Sequence, residues 1–316
     1  MAIRLDIILP VKNRDTLLTV VKTILSEMAA AKNSMLGQLL VCDGGSTEAT
    51  CLQQLETVSE LPNVRVLHCG HSGDAQLSNA QSSDEQLSNE RSSAFNKSWL
   101  MNKGLAAATA EVVVISDVDI LWGAAVLDEV AFSAANYAQR IYSILNIKES
   151  DPTARAVRRQ RYTYRIAPRE TDTLVEICAD TVGGETRPGC GIVCAQRQVL
   201  AHVGGYKTCF VGWGWEDQDF LIRAQLLGYE VVALGEVIHL SHGDERRCRV
   251  ADSIEESRDQ NIMRCLAGLQ KGELLGDLDR AHGALKNALG ERISEHRISV
   301  LYPPELAPLL PSPQAG

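Results

Sequence analysis

"VVVISDVDILW", residues 112–122, sets two carboxylates one residue apart at the end of an apolar run. A short continuous apolar run bounded by polar residues reads as a buried strand. In extended geometry Asp117 and Asp119 could both point the same way. Two carboxylates that close repel, and a hard divalent cation with its taste for oxygen ligands relieves the repulsion. The same pair is read equally well as a helix cap followed by a solvent-facing acid.

Upstream, "RLDIILP" is a short apolar run ended by proline, hence a buried strand. In "DTLLTVVKTILSEMAAA", Leu17, Leu18, Val21, Ile24, Leu25 and Met28 share one helical face, with Asp15 as the expected N-cap. "QLLVCDGGST" reads as strand and turn, Glu48 to Leu55 as a short helix, and "NVRVLHC" as a third strand. Alternating strands and helices predict an α/β fold with a doubly wound sheet. Further on, "SSAFNKSWLMNKGLAAAT" predicts a helix, "GCGIVCAQRQVLAHVGGY" strand, helix and glycine turn, and "GWGWEDQDFLIRAQLLGYEVVAL" loop, helix and strand. Ser253 to about His282 is helical in pattern, and "YPPELAPLLPSPQAG" is a proline-rich tail. Residues 74–83 and 84–93 form a tandem decapeptide, identical at seven of ten positions, read as a polar surface insertion.

The 316 residues are 45% hydrophobic and 22% charged, with room for a substantial core. A net charge of −9 argues against a general nucleic-acid binder. The nine cysteines are odd in number and scattered, which fits reduced thiols and a cytoplasmic address. No apolar run has the length of a membrane span, and the N-terminus lacks the pattern of a signal peptide. Neither GxGxxG after a strand nor GxxxxGK[ST] occurs, which sets aside dehydrogenases and P-loop enzymes.

Ligands of open α/β sheets sit beyond the carboxyl ends of the strands, where Asp43 and Asp117 both fall. "GWGWEDQDF" adds Glu216, Asp217 and Asp219 beside Trp213 and Trp215. Flat aromatic faces next to acids suit a sugar ring, and an acid there can take a proton from an attacking hydroxyl. The segment also reads as an acidic helix N-terminus favoured by the macrodipole, with core tryptophans. "HLSHGDERRC" brings His239 and His242 after an apolar strand. A zinc site with Cys248 would want a fourth ligand. One histidine joining Asp119 on a cation fits better, and mixed carboxylate and imidazole ligation favours Mn2+ over Mg2+.

Taken in order, these segments resemble the metal-dependent inverting glycosyltransferases of the GT-A fold, above all the β-1,4-galactosyltransferase and chondroitin-type group. "LPVKNR" (9–14), "FNKSWLMNKG" (95–104), "ISDVDI" (115–120) and "GWGWEDQDF" (212–220) carry the likeness, with His242 downstream. "CDGGST" is similar to the Asp-Gly-Ser turn of the broader family 2 of transferases. The resemblance implies a Rossmann-like mixed sheet over 1–250, with a nucleotide-sugar half (1–120) and an acceptor half (121–250), followed by a helical extension over 251–316. It implies Pro10, Lys12, Arg14, Asp43, Asn102, Asp117 and Val118 at the nucleotide sugar. Asp119 and His242 would hold Mn2+ or Mg2+, with Asp117 and His239 as further candidates. Trp213, Trp215, Glu216 and Tyr206 would bind the acceptor, and Asp217 would be the base. Trp215 stands where that group has glycine, and Gln218 where it has an acid.

The implied donor is a UDP-hexose such as UDP-Gal, UDP-GalNAc or UDP-Glc. The acceptor is a saccharide, peptide, lipid or small metabolite. A retaining transferase, a sugar nucleotidyltransferase and a silent sugar-binding module are the alternatives. The stretch Arg155 to Arg169 holds six arginines with Tyr162 and Tyr164. It reads as a solvated loop, a lid over the diphosphate, or a patch for an acidic acceptor or membrane surface.

Overall fold

The structure is a computed structural model, and it describes residues 2–70, 95–151, 153, 160–181, 186–243, 253–278 and 297–309. The tandem decapeptide, Arg155, Arg158, Arg159 and the end of the tail lie outside these residues.

The strands are β1 (Ile3–Val11), β2 (Ser34–Asp43), β3 (Val64–His68), β4 (Val112–Ile115), β5 (Ile120–Leu121), β6 (Arg140–Glu149), β7 (Gln160–Pro168), β8 (Asp172–Thr181), β9 (Thr186–Gln196), β10 (Glu230–His239) and β11 (Arg297–Leu301). The helices are α1 (Leu17–Ala30), α2 (Ala49–Ser59), α3 (Lys97–Ala107), α4 (Ala124–Asn136), α5 (Arg197–His202), α6 (Glu216–Leu226) and α7 (Ile254–Gln270). One sheet runs β3-β2-β1-β4-β9-β6-β10-β5, and a smaller one runs β11-β8-β7. β1 pairs parallel with β2 and β4, while β9 is antiparallel to both β4 and β6, so the large sheet is mixed as expected.

Side-chain alternation along β1 divides the core. Leu5, Ile7, Leu9 and Val11 face one cluster with residues of α1, α2 and α4. Ile8 faces the other, with Leu100, Met101 and Leu105 of α3 and Phe220 and Leu221 of α6. Gly104 explains how α3 comes so close to β1, because a Cβ there would collide with Ile8. A third cluster joins Val175 and Ile177 of β8 to Ile262, Cys265, Leu266 and Leu269 of α7 and to Leu306.

Three expectations are corrected. Helix α1 takes Thr16, not Asp15, as its N-cap, and no side chain caps it. The arginine stretch is a β-strand from residue 160, paired antiparallel with β8, and Tyr162 is 4% exposed inside the third cluster. Period-2 packing against β8 and α7 thus claims a segment whose charge suggested a loop, and Tyr162 is not an interfacial residue. The described C-terminal part is also not wholly helical. After α7, β11 adds in parallel to β8, followed by a 3-10 turn over Pro304–Leu309.

Candidate active site

The carboxyl ends of β1, β2 and β4 meet at one edge of the large sheet. Loop 12–16 is clamped there by its own polar side chains. Asn13, at φ 52°, accepts from the amides of Thr47 (2.7 Å) and Glu48 (3.0 Å). Thr16 Oγ1 donates to the carbonyl of Val118 at 2.8 Å, tying this loop to the Asp-Val-Asp turn. Asp43 accepts from the amide (3.0 Å) and hydroxyl (2.6 Å) of Ser46, and its other oxygen lies 3.5 Å from His68 Nδ1. Pro10 and Val118 are buried, while Lys12 and Arg14 are partly exposed on the same loop edge.

The Asp-Val-Asp turn sends its acids to two partners. Asp119 meets the end of β10, where His239 pairs with Ile120 across the β5–β10 ladder. Asp119 Oδ2 lies 3.1 Å from His242 Nε2 and 3.7 Å from His239 Nε2. Candidate ligand atoms of Asp119, His239 and His242 all fall within 4.8 Å of one another. Burial would push the Asp119 carboxyl up, but hydrogen bonds from His239 and His242 and the charges of His239 and Arg14 hold it well below the usual range. Its Oδ1 is buried and has no hydrogen-bond partner. His239 Nδ1 is 2.7 Å from Glu149 Oε2, which also accepts from Ser241 Oγ at 2.9 Å. That contact aims the other ring nitrogen at Asp119, as an outer carboxylate does for metal-bound histidines.

Three converging ligands, a carboxylate oxygen left over and an orienting carboxylate all fit a divalent cation. The mixed oxygen and nitrogen donor set suits a divalent transition metal.

Asp117 turns the other way. Its Oδ1 is 2.8 Å from Lys97 Nζ, the first residue of α3, and it does not join the triad. The same ammonium lies 3.6 Å from Glu216 Oε1 and 3.5 Å from Asp217 Oδ2 at the start of α6. Burial alone would lower the Lys97 pKa, but the charges of Asp117, Asp217 and Glu216 outweigh it and keep the ammonium protonated well above its usual range. Burial pushes the Asp217 carboxyl well above the ordinary range. Lys97 pulls it back, and Glu216 and Asp117 add to the rise. Asp217 Oδ1 is buried without a hydrogen-bond partner. Gly191 of β9 supplies the space: a Cβ there would lie 2.7 Å from Asp217 Oδ2 and 3.6 Å from Asp117 Oδ2.

Other residues assigned from sequence are placed elsewhere. Asn102 gives both ends of its amide to Tyr206, accepting from its N–H at 2.9 Å and donating to its carbonyl at 2.8 Å. It splices α3 to the glycine turn and is 6% exposed. Tyr206 is fully buried, stacked on Phe220 with ring centroids 4.7 Å apart. It lies under the acids, whose charge adds to burial in raising its pKa well above the usual range. Trp215 is 3% exposed and packs into the third core cluster, not into the cleft. Trp213 is partly exposed, with its amide donating to Ser257 Oγ at 3.0 Å. Asp219 is fully buried against Arg223, with Nε to Oδ2 at 2.7 Å. Arg223 also donates to the carbonyls of Val203 and Gly205, so this acid is structural. Sequence reasoning missed Lys97, Glu149 and Gly191. Lys97 sits in the "FNK" that opens α3 and Gly191 in the "GCGIV" read as a strand, but neither was assigned a role there, and Glu149 lies in no segment singled out beforehand.

The fold is that of the GT-A glycosyltransferases. A family model described as the N-terminal domain of galactosyltransferase matches residues 182–243, which include Gly191 and the acids of α6. GalNAc-T7, solved with UDP, GalNAc and Mn2+, superposes with a TM-score of 0.55 at 11% identity, over 94% of this chain and 55% of its own. The 1–349 fragment of TarS from S. aureus gives 0.50 at 17% identity, over 92% of this chain and 72% of its own. The mannosyltransferase PcManGT from Pyrobaculum calidifontis, in complex with GDP-Man and Mn2+, gives 0.49 at 16%, over 86% of this chain and 65% of its own. The chain thus spans less than two thirds of two of these three. No curated protein sequence matches it. Among the described residues no helix is long and apolar enough to cross a membrane.

Proposed function

We propose that the protein is a metal-dependent, inverting glycosyltransferase that moves a sugar from a nucleoside-diphosphate sugar to an acceptor hydroxyl. One observation carries the reading. A buried, unusually basic carboxylate with a free oxygen, Asp217, stands on a lysine-held acid cluster that also takes in Asp117 of the Asp-Val-Asp turn, whose other acid belongs to the cation triad.

On this reading Asp119, His239 and His242 would hold a divalent cation such as Mn2+, which when bound would supply positive charge to the diphosphate side of the donor. The protein supplies the rest. Asp217 Oδ1 accepts the proton of the acceptor hydroxyl. The acceptor oxygen bonds to the anomeric carbon from the face opposite the diphosphate, whose bond to that carbon breaks. Nucleoside diphosphate leaves and the configuration inverts. Lys97 keeps its three carboxylates together while the proton is transferred. Asp43, Lys12 and Arg14 line the nucleotide side, with Asn13 holding their loops in place. Glu216 and the half-open Trp213 face the acceptor sugar. The donor is a UDP-hexose, and the acceptor a saccharide, peptide, lipid or small metabolite.

The test is a panel of nucleotide sugars with Mn2+, scored for nucleoside diphosphate release and for product anomer. Inverted product with diphosphate release supports the reading. Retained configuration moves the enzyme to the retaining class. Pyrophosphate exchange with a sugar 1-phosphate makes it a nucleotidyltransferase, and binding without turnover makes it a sugar-binding module.

A further inference from the structure

Trp215 has φ 74° and ψ −10°, the left-handed region that bulky side chains rarely enter. It precedes Glu216 and Asp217 and serves as the N-cap of α6, its carbonyl accepting the first helical bond from Asp219 at 2.9 Å. Nothing local favours a tryptophan here. Its cap bond uses the backbone alone, and its Nε1 has no partner meeting ordinary hydrogen-bond geometry. The Cys265 thiol interacts with it, and sulfur is a weak acceptor.

What holds the residue is its ring. The indole packs among Ile222, Ile262, Cys265 and Leu266 in the third core cluster. Helix α7 grips the adjoining loop at three more points. Ser257 Oγ bonds to both the amide and the carbonyl of Trp213, at 3.0 and 3.2 Å. Asn261 Nδ2 donates to the carbonyls of Gly214 (2.8 Å) and Val211 (3.3 Å). Gly214 faces the Arg258 stem, where a Cβ would lie 3.3 Å from Arg258 Cβ. The loop carrying the acids is therefore fastened from the C-terminal side, by a helix outside the segment that matches the galactosyltransferase family model.

We propose that Trp215 is a positioning residue: its indole, seated against α7, forces the left-handed turn that sets the direction of the first turn of α6 and so holds Asp217 in the cleft. The side chain acts through the backbone and touches no substrate. Its kinetic consequence rests on the reading of Asp217 as the base, while its structural consequence does not. Glycine would tolerate the turn but not enforce it, because without a ring nothing seats the loop on α7. Phenylalanine keeps a ring in the core.

Hydrogen–deuterium exchange on Trp215→Gly and Trp215→Phe tests the structural claim. In Trp215→Gly, amides of residues 211–219 should exchange at least tenfold faster, with β1 and β2 unchanged. In Trp215→Phe they should stay within about twofold of wild type. Turnover tests the functional claim: kcat falls at least tenfold in Trp215→Gly with donor KM within twofold, and Trp215→Phe restores most of it. If Trp215→Gly does not fold, Trp215→Leu, which keeps apolar bulk in the core but no ring, carries the same expectation for residues 211–219 and for kcat, and unchanged exchange there overturns the proposal equally. Unchanged exchange at 211–219 in the glycine variant overturns the proposal, as does a raised donor KM with kcat retained. If wild-type protein turns over no nucleotide sugar, the glycosyl-transfer reading falls, and the exchange result still decides where Trp215 acts.

Discussion

Lys97 Nζ stands 2.8 Å from Asp117 Oδ1, joining the first residue of α3 to the turn after β4. The same ammonium reaches Glu216 and Asp217 on α6. Removing a charge from such a cluster leaves three carboxylates facing one another, Glu216 and Asp217 largely shielded from water and Asp117 more open. Breaking a buried pair this way costs on the order of 3 kcal/mol. Lys97→Met should therefore lower stability by about that amount at pH 7, measured by urea denaturation, and Lys97→Arg by much less. The loss should shrink as pH falls and the carboxyls protonate. A Lys97→Met variant equally destabilised at every pH would mean that packing, not charge, is what Lys97 contributes.

Asp217 should set the acidic limb of the pH–rate profile. Its folded pKa lies well above the ordinary carboxylate range, chiefly through burial. A base whose pKa is raised loses its active form as pH falls through that raised value. Turnover should therefore fall off at a higher pH than an exposed aspartate would give. Asp217→Asn, close in shape but unable to take the proton, should cost about 10² or more in kcat with donor affinity kept. Collapse of donor affinity instead would put Asp217 on the nucleotide side.

The fold and the site were legible to different depths. Ile7, Ile8 and Leu9 form a continuous apolar run along β1 that marks a buried strand from residue types alone, so the strand could be read directly, while its division between two core clusters appears only in the packing. Strands β7 and β8 could not be read directly. Arg161 and Arg165 mask the period of a strand held by its partner β8 and by helices α6 and α7, where Gln225 of α6 donates to the Tyr164 hydroxyl at 2.6 Å. At the site, Asp119, His239 and His242 were picked out by chemical type, but Glu149 was not, because only the parallel pairing of β6 with β10 brings it to His239. Asn102 and Asp219 show the opposite failure. Both are polar residues beside a motif, and both prove to be internal fasteners, a role that depends on what Tyr206 and Arg223 offer in three dimensions.

Glu149 gives a test of the cation triad that needs no turnover. Its carboxylate holds His239 by Nδ1 at 2.7 Å. Glutamine keeps the size but loses the charge that fixes the imidazole. Loss of such an outer partner costs 10–100-fold in metal affinity. Titration of Mn2+ into wild type and Glu149→Gln, followed by the electron paramagnetic resonance of free ion, should show weakening in that range, and Asp119→Ala should abolish the site. Mn2+ binding unchanged by Asp119→Ala would remove the ion from this position.

Asp128 is the sharpest purely structural test. From α4 it accepts from the amides of Lys32 (2.8 Å) and Asn33 (3.1 Å) and from Ser34 Oγ (2.6 Å), pinning the turn between α1 and β2. Its modest burial works to raise the pKa. The Ser34 hydroxyl and the three backbone amides of 32–34 outweigh that and lower it. A group whose folded pKa is depressed stabilises above its unfolded pKa, about 3.9, and loses that contribution as pH falls through the folded value. The residue is partly exposed, so the charge-assisted bonds are worth on the order of 1 kcal/mol. Asp128→Ala should thus lower the urea midpoint at pH 7 by an amount equivalent to about that energy, with the slope unchanged. The gap between variant and wild type should narrow between pH 4 and pH 2, because the protonated carboxyl accepts those bonds less well. A gap that stays constant to pH 2 would assign the effect to packing of the α1–β2 turn against α4 and not to the charge.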